Sequence, residues 1–229
     1  MISIVVPVYR SASTLAALHH RLSSVLERCD GSQEIIFVDD ACPGGSLIVL
    51  ERLAEFDPRI RIVRMPRNVG QHRAVIAGLA HARGTRIVVL DADLQDPPEA
   101  IPALLEAIDG QASAAFAGRR GRHQGFGRLL TSQLFKRALH QLCGTPADAG
   151  LFVAMNREMA TRLVTYDDAG PSVLAMMGCS GLPLTSIPVA RATRLDGGSS
   201  YSAWRRLTTS LSVIVWVIRW KWRSAMGHE

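Results

Sequence analysis

Short, uninterrupted apolar runs alternate along the first half of the chain with longer stretches whose apolar residues recur three and four apart. Ile2 to Val6 is the first run, closed by Pro7, and Thr14 to Leu26 is the first stretch at helical spacing. The alternation then repeats. Glu34 to Val38 predicts a strand ending in Asp39-Asp40, Ser46 to Phe56 a helix, Ile60 to Val63 a short strand, Gln71 to Ala82 a helix and Arg86 to Leu90 a strand. Runs that are apolar at every position belong to strands covered on both faces. Their alternation with helices predicts an α/β fold of parallel strands joined by right-handed crossovers, with chemistry gathered where the strands end. Tyr9, Asp39, Asp40 and Asp91 all stand at such ends.

Beyond residue 97 the pattern continues less evenly. Pro98 to Ile108 predicts a helix, Ala112 to Ala117 a strand, and Gly118 to Gly125, rich in Gly and Arg without apolar periodicity, a basic loop. Leu129 to Leu142 predicts a helix, Gly150 to Met155 a strand and Arg157 to Thr165 a helix. Residues 172–190 give only a faint helix and then a strand, and Arg194 to Tyr201 is a polar loop.

The densest chemistry lies in Ile87 to Pro98, Ile-Val-Val-Leu-Asp-Ala-Asp-Leu-Gln-Asp-Pro-Pro. If the backbone stays extended past the strand, Asp91, Asp93 and Gln95 point the same way and present three oxygen donors. Hard cations such as Mg²⁺ and Mn²⁺ take oxygen ligands, commonly one or two carboxylates completed by water and substrate phosphates. The same residues also fit turn chemistry, with Asp96 as the N-cap of a helix opened by Pro97-Pro98.

Composition narrows the setting. The chain has 229 residues, 48% hydrophobic, which suits one globular domain with at most a small appendage. Its net charge of +6 favours acidic partners: phosphates, nucleic acid or an anionic membrane surface. Cys29, Cys42, Cys143 and Cys179 show no metal-finger spacing, which predicts free thiols in a reducing compartment. The N-terminus lacks a basic n-region and a cleavage site, so it reads as a strand of a cytoplasmic protein, and no apolar run reaches the ~18 residues of a spanning helix. The position of a dinucleotide-binding glycine fingerprint reads Pro7-Val8-Tyr9-Arg10-Ser11, and no GxxxxGK[ST] occurs. Nicotinamide and P-loop chemistry are disfavoured accordingly.

Taken together, Ile4 to Tyr9, Phe37-Val38-Asp39-Asp40, Arg67-Asn68-Val69-Gly70-Gln71-His72-Arg73-Ala74, Gly78 and Leu90 to Pro98 resemble family 2 glycosyltransferases of the GT-A fold. Within that family the resemblance is to polyprenyl-phosphate glycosyltransferases, the group of dolichyl-phosphate mannose synthase and the bacterial undecaprenyl-phosphate sugar transferases. It covers nearly all of residues 2–202 and implies a mixed, mostly parallel sheet flanked by helices. By resemblance, Pro7, Tyr9 and Asp39 match positions that hold base and ribose. Asp91, Asp93 and Gln95 match those for Mg²⁺ or Mn²⁺ and the diphosphate, and Gln71 and Ala92 belong with the donor-binding set. Arg119 fits the arginine after the fifth strand, and Arg128 with Ser132 fits an Arg-x-x-x-Ser pair for an acceptor lipid phosphate. Arg194, Gly197, Ser199 and Tyr201 match a loop that closes over both phosphates. The chain departs from the family where Asn-Glu often follows the first-strand tyrosine, here Arg10-Ser11, and where Lys often stands in the last loop, here Ser200.

The implied activity is inverting, metal-dependent transfer of a sugar from a nucleotide diphosphate, UDP ahead of GDP-mannose, to a polyprenyl phosphate, with Asp148 the candidate for any carboxylate base. Two rivals stay open: a soluble transferase with a hydroxyl acceptor, and a non-catalytic nucleotide- or nucleic-acid-binding protein. Against nucleic acid, the arginines are not interleaved with an aromatic platform. Residues 1–202 make the expected transferase domain and 203–229 a basic amphipathic helix. On it Trp204, Leu207, Leu211, Ile214, Val215, Ile218 and Trp222 share one face, suited either to an anionic membrane surface at the inner face of the cell membrane or to packing on the core or a subunit.

Overall fold

The computed structural model describes residues 1–120, 135, 137–166, 171–190 and 203–226, the side chains of 119, 120, 203–210, 224 and 225 excepted. Its strands are β1 (Ile2–Val8), β2 (Gln33–Asp39), β3 (Ile60–Arg64), β4 (Arg86–Val89), β5 (Ala114–Arg120), β6 (Val153–Asn156) and β7 (Leu184–Ala190). Its helices are α1 (Ala12–Leu26), α2 (Ser46–Phe56), α3 (Gln71–His81), α4 (Ile101–Asp109), α5 (137–143), α6 (Arg157–Val164), α7 (Val173–Cys179) and α8 (Ala203–Ala225).

One seven-stranded sheet runs in the order β3-β2-β1-β4-β6-β5-β7. β1, β2, β3 and β4 are parallel, β6 is antiparallel to both its neighbours, and β5 and β7 are parallel. The fold is therefore the expected mixed, mostly parallel α/β sheet, although the second half is not a simple continuation of parallel crossovers. Successive residues of β1 explain why its sequence is apolar on both faces beyond Ser3. Ile4, Val6 and Val8 enter the core shared with α1 and α4, while Val5 enters the core shared with α3, α6 and α7. β7 is only partly buried and contains Pro188, which suits an edge strand because proline cannot donate to a further neighbour.

Three sequence boundaries shift. β5 runs to Arg120, because its register with β7 continues through Arg119↔Val189 and Arg120↔Ala190, so Gly118 and Arg119 belong to a strand instead of a loop. β6 begins at Val153, with residues 150–152 leading into it. The stretch from Pro98 opens as a 3-10 turn, Pro98–Ala100, before α4. Buried ionic contacts close the opposite, N-terminal edge of the sheet. Glu34 accepts from Ser3 Oγ at 2.6 Å and from the Arg83 amide at 2.7 Å, with Arg61 at 3.2 Å, and its pKa lies below the ordinary value despite burial.

α8 docks on α7, and neither sequence alternative describes it completely. Val213 and Val217 are buried with Leu139, Ala175 and Cys179, and Trp216 and Trp220 pack beside them. Leu211, Val215, Ile218 and Trp222, four of the residues grouped as its apolar face, are exposed instead. Trp204 and Leu207 lie where side chains are not described. Among the described residues no helix is long and apolar enough to cross a membrane.

Candidate active site

β1 sits beside β2 on one side and β4 on the other, so the chain order reverses between β1 and β4. In doubly wound sheets ligands bind outside the carboxyl ends of the strands at such a reversal. Tyr9 follows β1, Asp39 and Asp40 close β2, and Asp91 follows β4, all on this edge. Among the described residues, the non-glycine residues with positive φ are Arg10 (55°), Ala41 (50°) and Leu94 (62°), and each lies just beyond β1, β2 or β4. The left-handed region costs an L-residue roughly 1–2 kcal/mol, so backbone strain is concentrated where the sequence placed the chemistry.

A hydrogen-bond chain joins stretches that are far apart in sequence. The buried Asp40 accepts the Val69 amide at 2.7 Å on Oδ1 and the Gly70 amide at 2.9 Å on Oδ2. This holds the loop before α3, where Gly70 adopts φ 88°, open to glycine at little cost. Gln71, the first residue of α3, then donates through Nε2 to Asp91 Oδ1 at 2.5 Å. From the other side, Thr14 of α1 donates to the Ala92 carbonyl at 2.6 Å. Asp40 and Thr14 were absent from the sequence-derived site set; the Asp-Asp pair hinted at the first, and nothing local marked the second.

The segment after β4 is not extended, as the spacing argument assumed. Leu94 is left-handed and Asp93 Oδ1 accepts the Gln95 amide at 3.1 Å, an Asp-turn that folds the backbone back. Asp96 is fully buried and accepts the Asp91 amide at 3.5 Å, so it braces this turn, and the 3-10 turn that follows takes Pro97 as its N-cap residue. Two carboxylates and one amide side chain on a single strained turn offer oxygen donors, the ligand type that a hard divalent cation takes with phosphate and water completing its shell. Ala92 is buried, and its carbonyl is taken by the Thr14 hydroxyl.

The other candidates divide. Pro7 is buried inside β1, whereas Tyr9 is 43% exposed with the Arg10 guanidinium 5.3 Å from its ring centroid. Asp39 is buried and accepts the Cys42 amide at 3.3 Å. Burial raises its pKa, the Asp40 charge adding to the effect, against the opposing pull of the Cys42 amide and Arg64. Asp148 accepts from Ser186 Oγ of β7 at 2.9 Å and lies so close to Gly118 that a Cβ there would stand 2.1 Å from Oδ2. It therefore stands over β5 and β7 near the level at which β4 ends, on the side of the sheet that carries Asp91. Arg119 is placed as a backbone position in β5, and Arg128, Ser132, Arg194, Gly197, Ser199 and Tyr201 lie outside the described residues.

Against known proteins, the sequence profile of Glycosyl transferase family 2 matches residues 3–163. The chain belongs to that family. Among curated relatives, an uncharacterized glycosyltransferase, YkcC, of Bacillus subtilis is 32% identical over 93% of this chain and 67% of its own length. An undecaprenyl-phosphate 4-deoxy-4-formamido-L-arabinose transferase of Sodalis glossinidius is 31% identical over 88% of this chain and 63% of its own. The chain thus spans about two thirds of the length of these relatives. Among solved structures, the mannosyltransferase PcManGT of Pyrobaculum calidifontis, in complex with GDP-Man and Mn²⁺, superposes with a TM-score of 0.68 at 23% identity, over 95% of this chain and 64% of that one. Glucosyl-3-phosphoglycerate synthase of Mycobacterium tuberculosis, in complex with Mn²⁺, UDP and phosphoglyceric acid, gives 0.69 at 18% identity over 96% and 78%. These neighbours share the GT-A fold with this family 2 chain.

Proposed function

We propose that residues 1–202 carry an inverting, metal-dependent transfer of a sugar from a nucleotide diphosphate donor, a UDP-sugar ahead of GDP-mannose, to a polyprenyl phosphate. The Gln71–Asp91 bond carries this reading, because it joins the Asn-Val-Gly-Gln-His stretch to the Asp-x-Asp turn at the sheet's reversal point. The 31% identity to an undecaprenyl-phosphate sugar transferase supports the lipid acceptor.

In this reading Tyr9 and Asp39 hold base and ribose, and Asp91 and Asp93, with Gln95, hold Mg²⁺ or Mn²⁺. Such a cation would neutralise charge growing on the departing diphosphate. Gln71 fixes the Asp91 carboxylate, so that ligand is oriented before the donor arrives. A phosphate acceptor is anionic near neutral pH and needs no strong base, so Arg119, Arg128, Ser132 and Arg194 serve to position it. In this reading the reaction runs at the membrane that holds the lipid, at its cytoplasmic face.

One observation favours a second acceptor class. Asp148 is a fixed carboxylate on the same edge, able to take a proton from a hydroxyl, and one structural neighbour is complexed with phosphoglyceric acid. Calorimetric titration with UDP-, GDP- and dTDP-sugars in Mn²⁺ or Mg²⁺, followed by transfer assays on undecaprenyl phosphate and soluble alcohols, separates the readings. Metal-dependent binding of one donor and transfer to the lipid phosphate is expected. Transfer to alcohols alone would make a hydroxyl the acceptor and Asp148 its general base, and salt-sensitive retention of DNA or RNA without donor binding would replace the enzyme altogether.

A further inference from the structure

α8 is apolar on two opposite faces, and the body of the protein covers one of them. Val213, Trp216, Val217 and Trp220 face inward, with the Tyr166 ring 6.1 and 6.5 Å from those of Trp216 and Trp220. Leu211, Val215, Ile218 and Trp222 are 54%, 46%, 53% and 66% exposed. At about 100° per residue the exposed four fall within about 60° of arc, centred about 180° from the docked four. Arg219 and Lys221, both exposed, stand about 70–90° to either side of the centre of that arc, with the exposed Arg223 in the last turn.

An apolar row bordered on both sides by cations and ending in a tryptophan matches a bilayer surface at each level. Apolar side chains enter the acyl boundary, tryptophan favours the headgroup region and the cations meet anionic headgroups. A second copy of the chain fits this face poorly. Two-fold pairing lays a face on itself, bringing Arg219, Lys221 and Arg223 against their own kind, and residues 203–225 contain no Asp or Glu to pair with them.

We propose that the Leu211-Val215-Ile218-Trp222 face docks the protein onto an anionic lipid bilayer, with α8 lying in the plane of the surface and its opposite face keyed into the body. The argument uses α8 alone and is independent of the acceptor proposed above. The test is flotation of the full chain with phosphatidylcholine vesicles, with and without phosphatidylglycerol, at low and high salt. The wild type should float with the anionic vesicles and release as salt rises. Replacing Val215, Ile218 and Trp222 together by Ser should weaken flotation at least about tenfold, with the melting temperature unchanged. Arg219→Glu with Lys221→Glu should erase the preference for phosphatidylglycerol. A folded wild type that stays unbound at low salt, a serine variant that floats equally well, or a wild-type dimer that the serine variant dissolves without any flotation would each overturn the proposal.

Discussion

Gln71 is the residue at which three separate parts of the sequence meet. It opens the helix whose preceding loop is clamped by Asp40, and its amide holds Asp91. Removing a hydrogen bond to a charged group costs about 1.5–3 kcal/mol. Gln71→Ala should therefore lower kcat/KM for the donor by about 10–100-fold, while melting changes little because the side chain is exposed. Steady-state kinetics beside thermal unfolding check this, and unchanged donor kinetics would remove Gln71 from the site. Its neighbour His72 bears on stability. Burial lowers the pKa of this ring from 6.5 to about 4, and its Nδ1 accepts the Val173 amide at 3.3 Å, which the neutral ring alone can do. Between pH 6.5 and about 4 the unfolded chain binds the proton and the folded one does not, so stability falls as pH drops through that window. In unfolding curves across it, His72→Gln should lose stability less steeply than the wild type. Parallel curves would mean that the ring does not titrate as described.

Single elements show why some of the fold was legible in the sequence and some was not. β1 to β4 could be read because each is centred on a short apolar run, Ile4 to Val6, Ile35 to Val38, Ile62-Val63 and Ile87 to Val89, of the kind that strands covered by helices carry. The end of β5 could not, because Gly118 to Arg120 are extended only through pairing with β7, a ladder that leaves no local trace. β7 itself read faintly as a half-buried edge strand. The Asp91 to Gln95 stretch was placed correctly at a strand end but given the wrong backbone, since nothing about Leu94 announces a left-handed conformation. Asp96 resembled a cap and proved to be a brace for the Asp91 amide. In α8 the sequence offered one face to either a membrane or the core, and the structure uses the opposite face for docking. Gly78 of α3 shows the reverse case, a helix position explained only by packing. A Cβ there would lie 2.4 Å from Val5 Cγ1 and 2.9 Å from Val38 Cγ2, so α3 rides directly on β1 and β2. Gly78→Ala gains helix propensity worth about 1 kcal/mol but overpacks this contact at about 1–3 kcal/mol. A net loss of up to about 2 kcal/mol is expected in denaturant unfolding, and a stabilised variant would mean that the helix can lift away freely.

At the scale of the molecule the two edges of the sheet do different work. The edge at the start of β1, β2 and β4 is closed by internal ion pairs and hydrogen bonds such as those of Glu34 with Ser3, Arg83 and Arg61. The edge where these strands end carries Tyr9, Asp39, Asp91 and Asp93, the strained turns and the Gln71 contact. The central claim is that the Asp91-Asp93 turn anchors the cation and diphosphate of a nucleotide-sugar donor, and Asp93→Asn tests it most directly. It removes one anionic ligand from an external turn with little change of shape. The measurement is Mn²⁺-dependent transfer of labelled sugar to undecaprenyl phosphate by wild type and variant, with melting temperatures taken in parallel. Transfer by the wild type, reduced at least about a hundredfold in a variant that melts normally, is the predicted result; near-wild-type transfer by folded Asp93→Asn would contradict it.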